Sequence, residues 1–187
     1  AGSPLWQPVT DDGEWITGTG MALMWQGNGL GTLPTDEAEG TLRLAPDGAV
    51  EVLCGLDEMG QGLLAALQAS VADRLGIARA DVRQVTGDTG GTPDSGSTTA
   101  SRGGYVVWTI AQNTAPRFTA QLLAGAARLT GLPPEALRLV PGGVAEIARN
   151  LPDPMVSFAD LACALHPQGL PVETTTFAFP KTEYTKG

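Results

Sequence analysis

Apolar residues change their spacing several times along this 187-residue chain, and each change predicts an element. Residues 1–12 are polar and interrupted by Pro4 and Pro8, which predicts an extended lead-in. Residues 21–25 (Met-Ala-Leu-Met-Trp) form an apolar run of strand length, followed by a loop carrying Gly27, Gly29 and Gly31. Strand-like runs at 38–44 and 49–54 flank Ala45-Pro46-Asp47-Gly48, and Thr41 and Arg43 alternate with Leu42 and Leu44. Proline presets one φ angle and glycine accepts a positive one, so a tight hairpin turn is expected there. After Gly62 the period becomes helical, with Leu63, Leu67, Val71 and Leu75 in one stripe and Gly76 as the stop signal. Residues 81–85 predict the next strand, so 50–85 reads as strand, helix, strand.

Residues 86–99 consist of Gly, Ser, Thr, Asp and Pro and cannot pack a core. Long loops of that kind inside compact domains are often functional. Residues 100–129 return to a helical pattern with Val106, Ile110, Leu122, Leu123 and Ala126 as expected core positions. Pro116 lacks the backbone donor to residue 112, so a kink or a division is expected there, and Gly131 with Pro133-Pro134 ends the helix. The last third predicts strands at 136–140, 144–147 and 172–179, a Pro141-Gly142-Gly143 turn, and a helix over 157–165 capped by Ser157. The expected fold class is α+β: a mixed β-sheet with two principal helices, one after Gly62 and one after Thr99.

Composition narrows the functions. The formal net charge of −9 argues against a nucleic-acid groove and against an anionic membrane face. No apolar run approaches the roughly 18 residues of a membrane span, and no basic start with an apolar core marks a signal peptide, so the cytoplasm is the expected compartment and the periplasm the alternative. Cys54 and Cys163 sit in apolar runs and read as buried small hydrophobes. The single histidine, His166, reads as a capping or surface residue. The carboxylates of Asp11, Asp12, Glu14, Asp36, Glu37 and Glu39 read as a solvated acidic face, and Trp6, Trp15, Trp25 and Trp108 as packing residues. No nucleophile with an attendant base is visible, so no catalytic residue and no protein ligand to a metal is assigned.

Two segments carry most of the chemical content. Glu58-Met59-Gly60-Gln61-Gly62 lies where a strand hands over to a helix, and helix N-termini offer unpaired amides and a positive dipole end. Glycines admit a ligand close to the backbone, and Gln61 can donate and accept in one plane. The second segment, 88–104, again feeds a helix start, with Thr98, Thr99 and Ser101 as hydroxyl donors. It has no lysine after a glycine, as a P-loop would require, and Gly27, Gly29 and Gly31 do not have dinucleotide-fingerprint spacing. Two such helix starts separated by one strand–helix–strand unit can converge on one polar ligand. On residues alone three readings stay open: a cofactor cradle, a stand-alone phosphate- or nucleotide-binding module, or a scaffold whose glycines only make turns.

Taken together, Leu44-Ala45-Pro46-Asp47-Gly48, Glu58-Met59-Gly60-Gln61-Gly62, residues 68–76, Asp88-Thr89, and Pro93-Asp94-Ser95-Gly96 leading into Thr99-Ala100-Ser101-Arg102 resemble the molybdopterin-binding large subunit of xanthine dehydrogenase and aldehyde oxidase-type molybdenum hydroxylases. The match in order and spacing runs over about residues 18–131. The resemblance implies a lead-in at 1–14 and part of a molybdopterin-binding domain over 15–187, with 15–131 carrying the motifs and 132–187 a strand, helix and strand. It implies that Met59, Gly60, Gln61, Gly62, Ala100, Ser101 and Arg102 contact a molybdopterin-type molybdenum cofactor. It further implies hydroxylation of an aldehyde or nitrogen heterocycle with oxygen from water, and electron transfer to iron–sulfur clusters, with FAD beyond them, on partner subunits or domains. The family's Gly-Glu-Pro-Pro-like motif with its base glutamate does not occur in this chain. Family subunits are several times longer, so the implied partner is the remaining part of the same subunit, and the 187 residues alone are expected to be inactive.

Overall fold

The computed structural model describes residues 8–9, 17–18, 20–23, 29–30, 36–149 and 153–179. Its elements in chain order are β1 (Pro8–Val9), β2 (Thr17–Gly18), β3 (Glu37–Leu44), β4 (Val50–Cys54), α1 (Leu63–Leu75), β5 (Val82–Val85), α2 (Gly103–Thr130), β6 (Leu137–Val140), β7 (Gly143–Glu146), β8 (Val156–Ser157), α3 (Phe158–Leu165) and β9 (Val172–Ala178). The architecture is α+β with mixed strand directions, and α1 and α2 are its two principal helices. A four-stranded sheet has the order β5-β4-β3-β9, with β4 and β5 parallel and the other pairs antiparallel. A parallel neighbour requires a crossover, and α1 supplies it. The order β6-β7-β8 forms a second, antiparallel sheet.

The Pro-Asp-Gly turn joins β3 to β4 with Leu44 opposite Val50, in the register that puts Leu42, Leu44, Val50 and Val52 into one core. The pleat sends alternate side chains to opposite faces. The other face therefore carries Arg43, Glu51 and Arg83, which join Asp47 in a chain of ion pairs. The α1 stripe of Leu63, Leu67, Val71 and Leu75 is buried as its period predicts, and Gly76 closes the helix with its amide on the Ala72 carbonyl. α2 lays Val106, Ile110, Phe118, Leu122 and Ala126 into the same core. Ser157 caps α3, its hydroxyl accepting from the Asp160 amide at 3.0 Å.

Several expectations change. Pro116 neither divides α2 nor ends it; the helix runs unbroken from Gly103 to Thr130. Pro116 is exposed, so the carbonyl it leaves without a backbone donor lies on the wet side while the buried stripe continues beneath it. Met21 and Leu23 form no strand and are exposed; Met24 and Trp25 of that run lie outside the described residues, as do Gly27 and Gly31. Within the expected lead-in, Pro8–Val9 pairs with Thr17–Gly18. The short strand β8 had no periodic signal of its own. Cys54 is buried, but Cys163 is exposed because α3 turns that position away from Leu161, Ala162 and Leu165. Trp108 is 54% exposed on α2, not a core residue, while Trp6 and Trp15 lie outside the described residues. No helix among the described residues is long and apolar enough to cross a membrane.

Candidate functional site

β4 ends at Cys54, and the chain then crosses the end of the sheet to reach α1. The loop from β5 to α2 crosses the same end. Hydrogen bonds stitch these two passages to each other and to β3, among them that of the Glu39 amide to the Asp94 carbonyl at 3.0 Å. The Gly55 amide donates to the Ser95 hydroxyl at 2.8 Å, that hydroxyl donates to the Glu39 carbonyl at 2.6 Å, and the Asp57 amide donates to the Thr98 hydroxyl at 2.8 Å. Gly55 is required by this approach: a Cβ there would lie 2.5 Å from the Pro93 carbonyl oxygen.

The two passages border an open cavity of about 300 Å³. Met59, Gln61, Gly62, Ala100, Ser101 and Arg102 line it, so two segments far apart in sequence meet at one place. Gly60 is not among the lining residues, although it belongs to the same turn. Leu63, Ala66, Thr98, Thr99, Gly103 and Gly104 complete the wall. Ala66 was missed in the sequence, yet it is a small residue one turn into α1, where small size leaves a ligand room.

The local geometry differs from a bare helix N-terminus. Glu58 folds over the start of α1, and its carboxylate accepts from the amides of Gly60 at 2.7 Å, Gly62 at 3.0 Å and Leu64 at 3.1 Å. These amides, that of Leu64 foremost, hold the Glu58 carboxyl below the usual carboxylate range. Gln61 also turns back on its own loop: its Oε1 accepts from the Met59 amide at 2.6 Å and its Nε2 donates to the Asp57 carbonyl at 2.9 Å. The glutamate that the sequence left without a role is thus what gives the glycine turn its shape.

A carboxyl whose pKa is depressed on folding contributes stability above its unfolded value, and that contribution disappears as pH falls through the folded value. Acidification below about pH 4, the unperturbed glutamate range, is therefore expected to lower the hydrogen-exchange protection factors of the Gly60, Gly62 and Leu64 amides, measured against their intrinsic rates at each pH. Glu58→Gln should remove that acid step; identical acid profiles for the two proteins would refute the assignment.

The second segment is held differently. Arg102 is fully buried with its guanidinium turned into the protein, where it pairs with Asp36 at 2.8 Å. Asp36, expected on a solvated face, is 7% exposed. Glu37 is exposed and Glu39 half-buried, while Asp11, Asp12 and Glu14 lie outside the described residues. Beyond Arg102, the first turn of α2 borders the cavity through Gly103 and Gly104, and the space where a Cβ of Gly104 would stand holds no atom within 4 Å. No group of three or more His, Cys, Asp or Glu side chains is arranged to hold a metal ion among the described residues.

Residues 6–187 match the family model described as molybdopterin cofactor-binding domain. A probable xanthine dehydrogenase subunit from Bacillus subtilis (strain 168) is 39% identical over 165 residues, which are 88% of this chain and 21% of that protein. A nicotinate dehydrogenase subunit from Pseudomonas putida is 35% identical over 120 residues, 64% of this chain and 10% of its own length. The crystal structure of quinoline 2-oxidoreductase from Pseudomonas putida 86 has the same fold, with a TM-score of 0.61 at 24% identity, over 83% of this chain and 22% of that one. The chain spans about a fifth of the length of the Bacillus subtilis relative.

Proposed function

Because this chain belongs to the molybdopterin cofactor-binding domain family, we propose that its cavity is part of the cradle for a molybdopterin-type cofactor, within a longer subunit of a molybdenum hydroxylase. The observation that carries this reading is the convergence of the Met59–Gly62 and Ala100–Gly104 segments on one cavity. A cavity walled by glycines and small residues, with no cluster of metal-binding side chains among the described residues, fits a cofactor that brings its own ligands for the metal. Gly62 and Ala100 would leave room for the pterin, Met59 would cover it as an apolar wall, and the backbone at Gly103 and Gly104 would face its acceptor atoms. Gln61 lines the cavity while its amide group is engaged by its own loop. When bound, the cofactor supplies the redox chemistry of hydroxylation with oxygen from water. The chain's own contribution is orientation, exclusion of water and placement of donors. A base to take the substrate proton would come from another part of the subunit.

The parent enzyme is proposed to act on a nitrogen heterocycle or an aldehyde and to pass electrons to iron–sulfur clusters on a partner subunit or domain, with the cytoplasm as its compartment. The names of the relatives above, which mention xanthine, nicotinate and quinoline, support the heterocycle arm. A free-standing phosphate module has less support, since the amides of Gly60, Gly62 and Leu64, before and within the first turn of α1, already donate to Glu58.

The test is the pterin and molybdenum content of the full-length subunit. Wild type is expected to release pterin together with molybdenum. Gly104→Phe fills the cavity from a position with no steric neighbour, so it should lower the pterin content by about tenfold, equivalent to about 1.4 kcal/mol of lost affinity. Its unfolding midpoint should hold or rise, because glycine is a poor helix residue. A wild-type subunit without pterin, or a Gly104→Phe variant that keeps its full complement, would overturn the proposal.

A further inference from the structure

Two adjacent residues in the cavity wall, Ala100 at φ 52° and Ser101 at φ 53°, are the non-glycine residues with positive φ among those described. Side chains of L-residues disfavour this region, and such a pair persists only where its surroundings over-determine it. The surroundings here are built by the next residue. Arg102 Nε donates to Asp36 Oδ1 at 2.8 Å, Nη1 donates to the carbonyls of Ser95 at 2.7 Å and Ser97 at 2.9 Å, and Nη2 donates to the carbonyl of Glu37 at 2.7 Å. The Phe179 ring lies 5.3 Å from the guanidinium. The other oxygen of Asp36 accepts from the Leu30 amide at 2.7 Å, and the neighbouring Gly29 amide donates to the Ala100 carbonyl at 2.9 Å. The loop wraps the guanidinium so closely that a Cβ on Gly96, itself at φ 73°, would stand 2.8 Å from Nη1.

We infer that the buried Arg102–Asp36 pair is the positioning device of this cavity: it holds Ala100 and Ser101 in the left-handed conformation, so that the wall is shaped before a ligand arrives. Arg102 touches no ligand in this scheme and acts through the backbone on either side of the strained pair. A planar guanidinium reaches four acceptors in two chain segments at once, 36–37 and 95–97, which the single ammonium of lysine cannot do. The inference rests on the proposed cofactor cradle for its functional meaning, but the restraint itself can be measured separately.

The experiment is a double-mutant cycle in the full-length subunit with Ala100→Gly, Arg102→Met and the double variant, read by released pterin and by the unfolding midpoint of cofactor-free protein. Glycine takes positive φ without a Cβ penalty, so Ala100→Gly alone serves as the reference against which the double variant is read. Arg102→Met should lose pterin by about tenfold or more, and Ala100→Gly should restore a measurable part of it in the double variant, the coupling expected of residues that share one restraint. Arg102→Lys should not restore it. A merely structural arginine would give additive losses, and a double variant with no more pterin than Arg102→Met, or an Arg102→Met protein with its full complement, would overturn the inference. Should Arg102→Met fail to fold, Asp36→Asn keeps the size of the partner and removes its charge; rescue of its pterin content by Ala100→Gly supports the inference and lack of rescue refutes it. A wild-type subunit that carries no pterin would sink the cofactor reading alone. The midpoints then decide the restraint: non-additive shifts support it and additive ones do not.

Discussion

Asp36→Ala is expected to destabilise the chain by about 3–5 kcal/mol, the usual consequence of removing one partner from a buried ion pair. Both side chains are out of water, at 0% exposure for Arg102 and 5% for Asp36. The alanine variant would leave a guanidinium without its counter-charge and the Leu30 amide without its acceptor. Three carbonyls would remain on Arg102, but dipoles offset only part of the desolvation of a full charge. Denaturant unfolding of the 187-residue chain reads the effect as a fall in midpoint at constant slope. Removing both charges in Asp36→Ala with Arg102→Met should be less damaging than the sum of the single losses, because no unpaired charge is then buried. A single-variant loss below about 1 kcal/mol, the range of exposed pairs, would show that the pair is hydrated after all.

Phe118→Ala is the second large effect, again about 3–5 kcal/mol, from lost apolar transfer and from the cavity left behind. Phe118 is fully buried in the core cluster beneath the sheet, so few neighbours can collapse into the space. The neighbouring residue gives the control. Arg117 is 81% exposed in its side chain and meets Glu173 only at 3.5 Å, so Arg117→Ala should change stability by less than about 1 kcal/mol. Equal effects at the two positions would mean that α2 is rotated from its described orientation.

These two residues mark different degrees of legibility. The buried face of α2 is written in the 3.6-residue period, yet Phe118 lies two residues beyond a proline, where the pattern by itself suggests a break. Burial of the residues on both sides outweighs one missing backbone hydrogen bond, which only packing reveals. Asp36 is less legible still. Its sequence neighbours Glu37 and Glu39 invite a solvated acidic face, and its partner lies 66 residues away.

The site divides in the same way. Local chemistry was enough to single out two glycine-rich helix starts, because the residue types that allow close backbone approach and turn formation act over a few positions. It was also enough for the hairpin, the α1 stripe and the strand–helix–strand order, since each depends on a period or a turn of short range. That the two starts share one cavity, that the Glu58 carboxylate accepts from amides at the start of α1, that Gln61 braces its own loop, and that Ala100 and Ser101 are held at positive φ depended on the tertiary structure. Each of these is a hydrogen-bonded or steric arrangement whose geometry no periodicity encodes, and which exists only once the sheet has brought residues 29–30, 36–40, 55–64 and 93–104 to the same end.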